Sequence, residues 1–204
     1  MKPLLKICGV TDPAFAAEAA RRGVSYIGLI FAAKSPRRID ARRAREVVAA
    51  QAAQVPKASF VGVFVEQTVD EIEKIASEAG LDVVQLHGDY ADGDVERLKA
   101  SGLEVWRLLR AGAEPGAEDA VLLDGRDGAK SGGTGKRADW SLVAELKRAG
   151  RRVVLAGGIS AENANAAAAT GADMLDANSS LETSPGVKSL VLLDELIRAL
   201  FGSQ

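Results

Sequence analysis

The sequence predicts an α/β fold, a closed (β/α)8 TIM barrel, and three observations carry the prediction. Short runs of β-formers alternate with longer, alanine-rich amphipathic stretches one unit at a time, the pattern of parallel β/α units. Eight such runs fit within 204 residues, a length that (β/α)8 barrels occupy undivided. No G-x-G-x-x-G follows an early strand, which argues against the competing doubly wound sheet and its dinucleotide site.

Taken in order, the first strand is Leu4–Cys8, stopped by Gly9; Asp12 can cap and Pro13 open a helix to Arg22, with Gly23 as its stop. Ser25–Phe31 is the second strand, followed by a loop to Arg38 and a helix from Asp40 to about Ala53 that Pro56 breaks. Ser59–Val65 is continuous enough to be a strand buried on both faces. Thr68 and Glu71 form a capping box for a helix to Ala79, which Gly80 ends. Strand Asp82–His87, a helix from about Ala91 to Ser101 and strand Leu103–Leu109 follow. Gly112, Pro115 and Gly116 argue against a full helix before strand Asp119–Asp124, so the fifth outer helix is expected to be short or missing. The polar, glycine-rich stretch Gly125–Arg137 reads as an active-site loop, and Asp139 as the cap of a helix to Ala149. Strand Arg152–Ala156, a Gly157-Gly158 turn, a helix from Ser160 to Thr170, strand Ala172–Asp176 and a helix Val187–Phe201 complete the pattern. With no linker, repeat or low-complexity tract, residues 1–204 are expected to form one barrel domain.

Composition narrows the function. Such a length can bury about 70 % of its extended surface and needs no covalent staple. Twenty-six basic against 28 acidic side chains, a net charge of −2, argue against nucleic acid or an anionic membrane as partner. One cysteine precludes an intrachain disulfide framework and fits a reducing compartment. The N-terminus shows no signal-peptide pattern, and no run approaches the roughly 20 apolar residues of a membrane span, so a cytoplasmic location is expected. With one His and one Cys, a zinc site of the usual kind is not expected.

In a barrel, polar groups at the carboxyl ends of the strands build the site. Strand one delivers Cys8, the loop after strand two Arg37, strand four His87, strand six Asp124 and strand eight Asp176; Gly133 lies in the glycine-rich loop. Gly157 and Gly158 after strand seven, with Ser179 and Ser180 after strand eight, fall where barrel enzymes bind phosphate through backbone amides. Each has a plainer reading: Gly-Gly as a tight turn, Arg37 as a solvated cation, His87 as a satisfied strand-end histidine, and Asp176 as a structural carboxylate orienting loop amides. Arg37 also has the guanidinium suited to a carboxylate. Cys8 is either a buried structural thiol or, with Asp124, half of an acid–base pair. A carboxylic acid can protonate an ether oxygen while a thiolate takes a proton from carbon, an isomerisation that needs no metal or cofactor. Since a free thiol titrates near 8.5, the base role needs help, which a cationic intermediate would supply.

Apart from Asp176, Ser179 and Ser180, these positions lie in ten motifs, from Lys6-Ile7-Cys8-Gly9, Gly28-Leu29-Ile30-Phe31 and Ser35-Pro36-Arg37 through Val61-Gly62-Val63-Phe64, Gln85-Leu86-His87-Gly88, Leu123-Asp124 and Gly132-Gly133-Thr134-Gly135-Lys136. Asp139-Trp140, Leu155-Ala156-Gly157-Gly158-Ile159 and Ser184-Pro185-Gly186-Val187-Lys188 complete the set. In this order the chain resembles the phosphoribosylanthranilate isomerases of tryptophan biosynthesis. The resemblance implies an Amadori rearrangement of N-(5-phosphoribosyl)anthranilate to 1-(2-carboxyphenylamino)-1-deoxyribulose 5-phosphate. It implies Asp124 as general acid on the furanose oxygen, Cys8 as base at C2, and Arg37 as the carboxylate ligand. The loops at Gly157-Gly158 and Ser179-Ser180 would hold phosphate. The expected partner is thus a small phosphorylated molecule, and a monomer is expected rather than a homodimer. Two positions depart from the family pattern: Ser180 stands where glycine is usual, and Ser189 where an aspartate is usual. The rival readings are a related phosphoribosyl-sugar isomerase barrel, which would carry an aspartate in place of Cys8, and a non-catalytic barrel that binds a phosphorylated ligand.

Overall fold

The computed structural model describes residues 2–51, 57–125 and 140–202. Eight parallel strands close into a barrel in sequence order: β1 (Leu4–Cys8), β2 (Tyr26–Ile30), β3 (Ser59–Phe64), β4 (Val83–Leu86), β5 (Glu104–Leu108), β6 (Ala120–Asp124), β7 (Val153–Ala156) and β8 (Met174–Ala177). Outside them run α1 (Pro13–Arg21), α2 (Ala41–Ala49), α3 (Val69–Ala79), α4 (Asp92–Ala100), α5 (Ser141–Arg148), α6 (Ala164–Ala169) and α7 (Leu190–Phe201).

Period-two alternation sorts each strand between two cores. Leu5, Ile7, Ile27, Leu29, Val84, Val105 and Leu175 face outward and pack with the helices. Val61, Val83, Trp106, Leu122, Val154 and Met174 fill the interior, where Tyr26 meets Trp106 edge-on at 5.0 Å between ring centroids. The local signals are realised as read: the Asp12 carboxylate accepts from the Ala14 amide, Thr68 and Glu71 complete their capping box, and Gly80 ends α3 at φ +74°.

Several boundaries differ from the expected ones. Helix α2 ends at Ala49 rather than Ala53. Helix α6 starts at Ala164, not Ser160, because Asn163 Oδ1 accepts from the Ser160 amide and holds residues 160–163 in a preceding turn. Strand eight begins at Met174 and extends to Ala177. The expected helix from Val187 begins only at Leu190, capped by Ser189 Oγ, which accepts from the Leu192 amide. Before it, β9 (Glu182–Ser184) and β10 (Val187–Lys188) form an antiparallel hairpin. Thus the serine standing where the family has an aspartate still caps the helix. The expected cap at Asp139 lies outside the described residues.

The fifth outer helix is absent: between β5 and β6 runs an irregular segment. Its place is taken by a charge cluster on Glu118, whose side chain is only 2 % exposed. Glu118 accepts from Arg107 Nε at 2.9 Å, from Arg151 Nη2 at 2.6 Å and from the Gly116 amide at 2.9 Å. Truncating a buried carboxylate strands its cations, which typically costs several kcal/mol. Glu118→Ala is therefore expected to lower the unfolding free energy by about 2–4 kcal/mol in urea titration; a loss below about 0.5 kcal/mol would show that the cluster does not replace the missing helix.

Candidate active site

A cavity opens at the carboxyl ends of β1, β4, β6, β7 and β8. It is lined by Cys8, Gln85, His87, Asp124 and Asp176, by Gly157-Gly158 and by Asn178, Ser179 and Ser180, and by apolar walls from Ile30, Val63, Leu122 and Ala156. Of the sequence-predicted residues, Cys8, His87, Asp124, Gly157, Gly158, Asp176, Ser179 and Ser180 meet here. Arg37 stands at the rim, and Gly133, with most of the Gly125–Arg137 loop, lies outside the described residues. Among the described residues, no group of His, Cys, Asp and Glu could hold a metal ion.

Cys8 is the last residue of β1, and alternation puts it on the inner face with Lys6. Both are buried, Lys6 completely. Lys6 Nζ donates to Asp176 Oδ2 at 2.6 Å across the junction of β1 and β8. Gly28 pairs with Cys8 on β2, and a Cβ there would lie 2.9 Å from the thiol sulfur. That position stays glycine because the thiol fills the space. Burial pushes the Cys8 thiol up from its ordinary value; Lys6 pulls it down, and Asp176 adds to the rise. Burial opposes the charge on Lys6 as well, but Asp176 and Cys8 outweigh it and hold the ammonium protonated.

Asp124 ends β6, half-buried, three strands around the barrel from Cys8 with β7 and β8 between them. Gly157 fits beside it at φ +91°, where an added Cβ would lie 2.7 Å from Asp124 Oδ1 and 2.3 Å from the Gly125 amide nitrogen. The left-handed backbone and the close approach both require glycine. His87 Nε2 lies 2.6 Å from Gln85 Nε2, within hydrogen-bond distance, which ties the imidazole to the side chain two residues before it.

The two backbone loops adjoin. After β8 the chain makes a single 3-10 turn, Ser179–Leu181. Ser180 Oγ donates to the Ile159 carbonyl and ties this turn to the Gly157-Gly158 loop. The residue that departs from the family's glycine therefore serves as a link between loops. The helix expected from Ser160 begins only at Ala164 and has six residues, none of which lines this cavity. What remains for an anion is the backbone of the two loops.

Arg37 departs from its expected availability. Its Nε and Nη2 donate to Glu182 Oε1 and Oε2 at 2.8 and 2.6 Å, a bidentate pair that occupies one edge of the guanidinium. Glu182 Oε1 also accepts from Lys188 Nζ at 2.8 Å, and Lys188 donates on to Asn178 Oδ1 at 2.8 Å. The Arg37 stem crosses Gly9, where a Cβ would lie 2.6 Å from Arg37 Cδ. Arg37 thus lies beside Cys8, and among the described residues Nη1 is the guanidinium nitrogen that Glu182 does not take.

Lys6, Glu182 and Lys188 were missed as site residues. For Lys6 a signal was present: a charge in an apolar strand, two residues before Cys8 and on its face, must lie inside the barrel and is rarely left there without a partner. Glu182 and Lys188 had no such signal, since the hairpin holding them is set by tertiary pairing.

A closed parallel barrel with a carboxylate, a thiol and two glycine- and serine-containing loops at the carboxyl ends of its strands has the layout of (β/α)8-barrel enzymes. The family model of N-(5′-phosphoribosyl)anthranilate isomerase matches residues 5–199. The isomerase of Rubrobacter xylanophilus is 38% identical over 204 residues, covering 96% of this chain and 97% of that one. The tryptophan biosynthesis protein TrpCF of Vibrio parahaemolyticus is 37% identical, but the chain spans only 40% of its length. The crystal structure of the Thermus thermophilus isomerase superposes with a TM-score of 0.80 at 34% identity, over 97% of this chain and 98% of that one. A further isomerase structure, in complex with reduced 1-(o-carboxyphenylamino)-1-deoxyribulose 5-phosphate, gives a TM-score of 0.81 at 27% identity, over 98% of this chain and 100% of that one. The chain belongs to the N-(5′-phosphoribosyl)anthranilate isomerase family, isomerases of tryptophan biosynthesis.

The rim cluster has a pH signature. Burial alone would raise the Glu182 carboxyl, but hydrogen bonds from Arg37 and Lys188 outweigh it and hold the group at about 2, against an ordinary 4.5. A carboxyl depressed on folding contributes stability above its unfolded value and loses it as pH falls toward the folded one. Between pH 5 and 2 the native chain should therefore lose on the order of 3 kcal/mol more stability than Glu182→Gln, measured by denaturant titration at each pH. Parallel pH profiles for the two proteins would exclude this role for Glu182.

Proposed function

We propose that this cavity carries out the Amadori rearrangement of N-(5-phosphoribosyl)anthranilate to 1-(2-carboxyphenylamino)-1-deoxyribulose 5-phosphate with Cys8 and Asp124 as its proton carriers. The observation that supports this best is that both residues line one cavity, separated by the two strands whose loops suit a phosphate. A substrate anchored by phosphate on those loops would lie between the acid and the base.

Asp124 gives its proton to the furanose ring oxygen as the C1–O bond breaks, and the anilino nitrogen supplies the electron pair that makes a protonated Schiff base. Cys8, as thiolate, removes the proton from C2, and those electrons neutralise the iminium to an enolamine. Protonation at C1, with loss of the proton from the C2 hydroxyl, yields the ketone, so the sum is an isomerisation. Burial keeps the resting thiol protonated, so the base needs the cationic intermediate beside it, which favours the thiolate. Arg37, steadied by Glu182, would present Nη1 to the anthranilate carboxylate. Asp176, Gln85 and His87 border the sugar's position.

All of these residues come from one chain, which supports a monomer as the working unit. The solved relatives include a dimeric Thermotoga maritima isomerase and monomers generated from it. We place the protein in the cytoplasm, since its one cysteine is a free thiol. No helix among the described residues is long and apolar enough to cross a membrane.

Anthranilate derivatives fluoresce, and the purified chain should quench freshly made substrate as it converts it; an unchanged signal would rule out the isomerase. Cys8→Ala and Asp124→Asn should each cut kcat by roughly 10²-fold or more, the scale of general acid–base catalysis. Near-native turnover in either variant removes that residue from the mechanism. For Arg37→Ala the expected effect is a raised KM with kcat largely kept; an unchanged KM would deny it a part in substrate binding.

A further inference from the structure

The mechanism above leaves one buried charge without a task. Lys6 is fully buried inside the barrel, where an ion pair costs desolvation and apolar residues of similar volume are often as stable or more so. Its ammonium meets Asp176 Oδ2 at 2.6 Å, and its charge favours the thiolate of neighbouring Cys8. An added Cβ on Gly28 would lie 2.9 Å from Cys8 Sγ and 3.2 Å from Lys6 Cε, so the lysine stem and the sulfur lie side by side over a residue with no side chain. The other Asp176 oxygen, Oδ1, is buried with no hydrogen-bond partner among the described residues, so among them Lys6 is the side chain that orients this carboxylate.

We propose that Lys6 is a positioning residue for Cys8: anchored on Asp176, its ammonium holds the sulfur at the end of β1 and neutralises it while it carries no proton. The proposal rests on the reading of Cys8 as base. Other charged or titratable groups also face the thiol or its cavity: Asp176 from β8, Lys188 from β10, Arg37 from the loop after β2, and His87 and Asp124 from the ends of β4 and β6. Lys188 and Arg37 share the carboxylate of Glu182, whereas Lys6 is the cation that acts most strongly on the sulfur.

Because Cys8 is the only cysteine, the pH dependence of iodoacetamide alkylation reports on it directly and needs no substrate. Lys6→Met should move the alkylation midpoint upward by about one pH unit or more. The double variant Lys6→Met/Asp176→Asn leaves no carboxylate buried without its cation, and serves if the single variant does not fold. Its midpoint should also lie above that of the native chain, by less than in Lys6→Met. In turnover the loss should fall on kcat, with its pH profile moved to higher pH and KM nearly unchanged. A folded variant whose alkylation profile superimposes on the native one, or whose loss is confined to KM, overturns the proposal. An alkylation shift as expected, in a chain that does not turn over the isomerase substrate, upholds the coupling and rejects the functional reading instead.

Discussion

The ion pair between Lys6 and Asp176 is the interaction on which the rest of the structure turns. A parallel barrel exists only if its last strand meets its first in register, and these two residues are directly paired across that junction, 170 positions apart in the chain. A slip of two residues would set Lys6 beside Met174 or Asn178 and leave both charges buried without partners, at a cost of several kcal/mol. The pair thereby makes the register at the seam specific, as a buried polar contact does in other folds. It also sets the height at which β1 ends and so where Cys8 enters the cavity.

From that seam the placement of acid, base and anion loops follows by geometry. Parallel strands bring all their carboxyl ends to one side, and closure brings β8 beside β1, with β7 and then β6 next around the barrel. The two loops suited to phosphate therefore lie between Asp124 and Cys8 on the short way round, not off to one flank. Glycine at 157 and 28 lets the backbone approach the acid and the thiol more closely than any side chain would allow. A second polar cluster, Arg37–Glu182–Lys188, then joins the loop after β2 to the hairpin after β8 at the rim. Both clusters surround Cys8 with cations whose charge is largely matched nearby. A thiol in this place feels attraction to its anion without being ionised at rest.

Much of this is legible in the amino-acid sequence. The alternation of β runs with amphipathic helices, the Thr68–Glu71 capping box, the missing fifth helix and the residues at the strand ends are local, and local chemistry decides them. Two helix starts were not legible. Ser160 has the chemistry of a cap, but Asn163 takes its amide and delays the helix. Val187 and Lys188 could begin a helix, but Lys188 is drawn into a hairpin by Glu182 and Asn178. At both sites a specific hydrogen bond outweighs a propensity difference of a few tenths of a kcal/mol.

Local patterning sets the class of fold and the side chains delivered to the mouth, because period-two burial and helix capping are written within a few residues of each position. Only the tertiary structure decided how those side chains are committed. Arg37 has a carboxylate in reach because Glu182 lies 145 residues away and is folded back beside it. Lys6 is a buried partner of the thiol rather than a strand residue of no account because barrel closure puts Asp176 next to it. Charges separated by most of the chain find each other only when the barrel closes, and local patterning carries no record of that pairing.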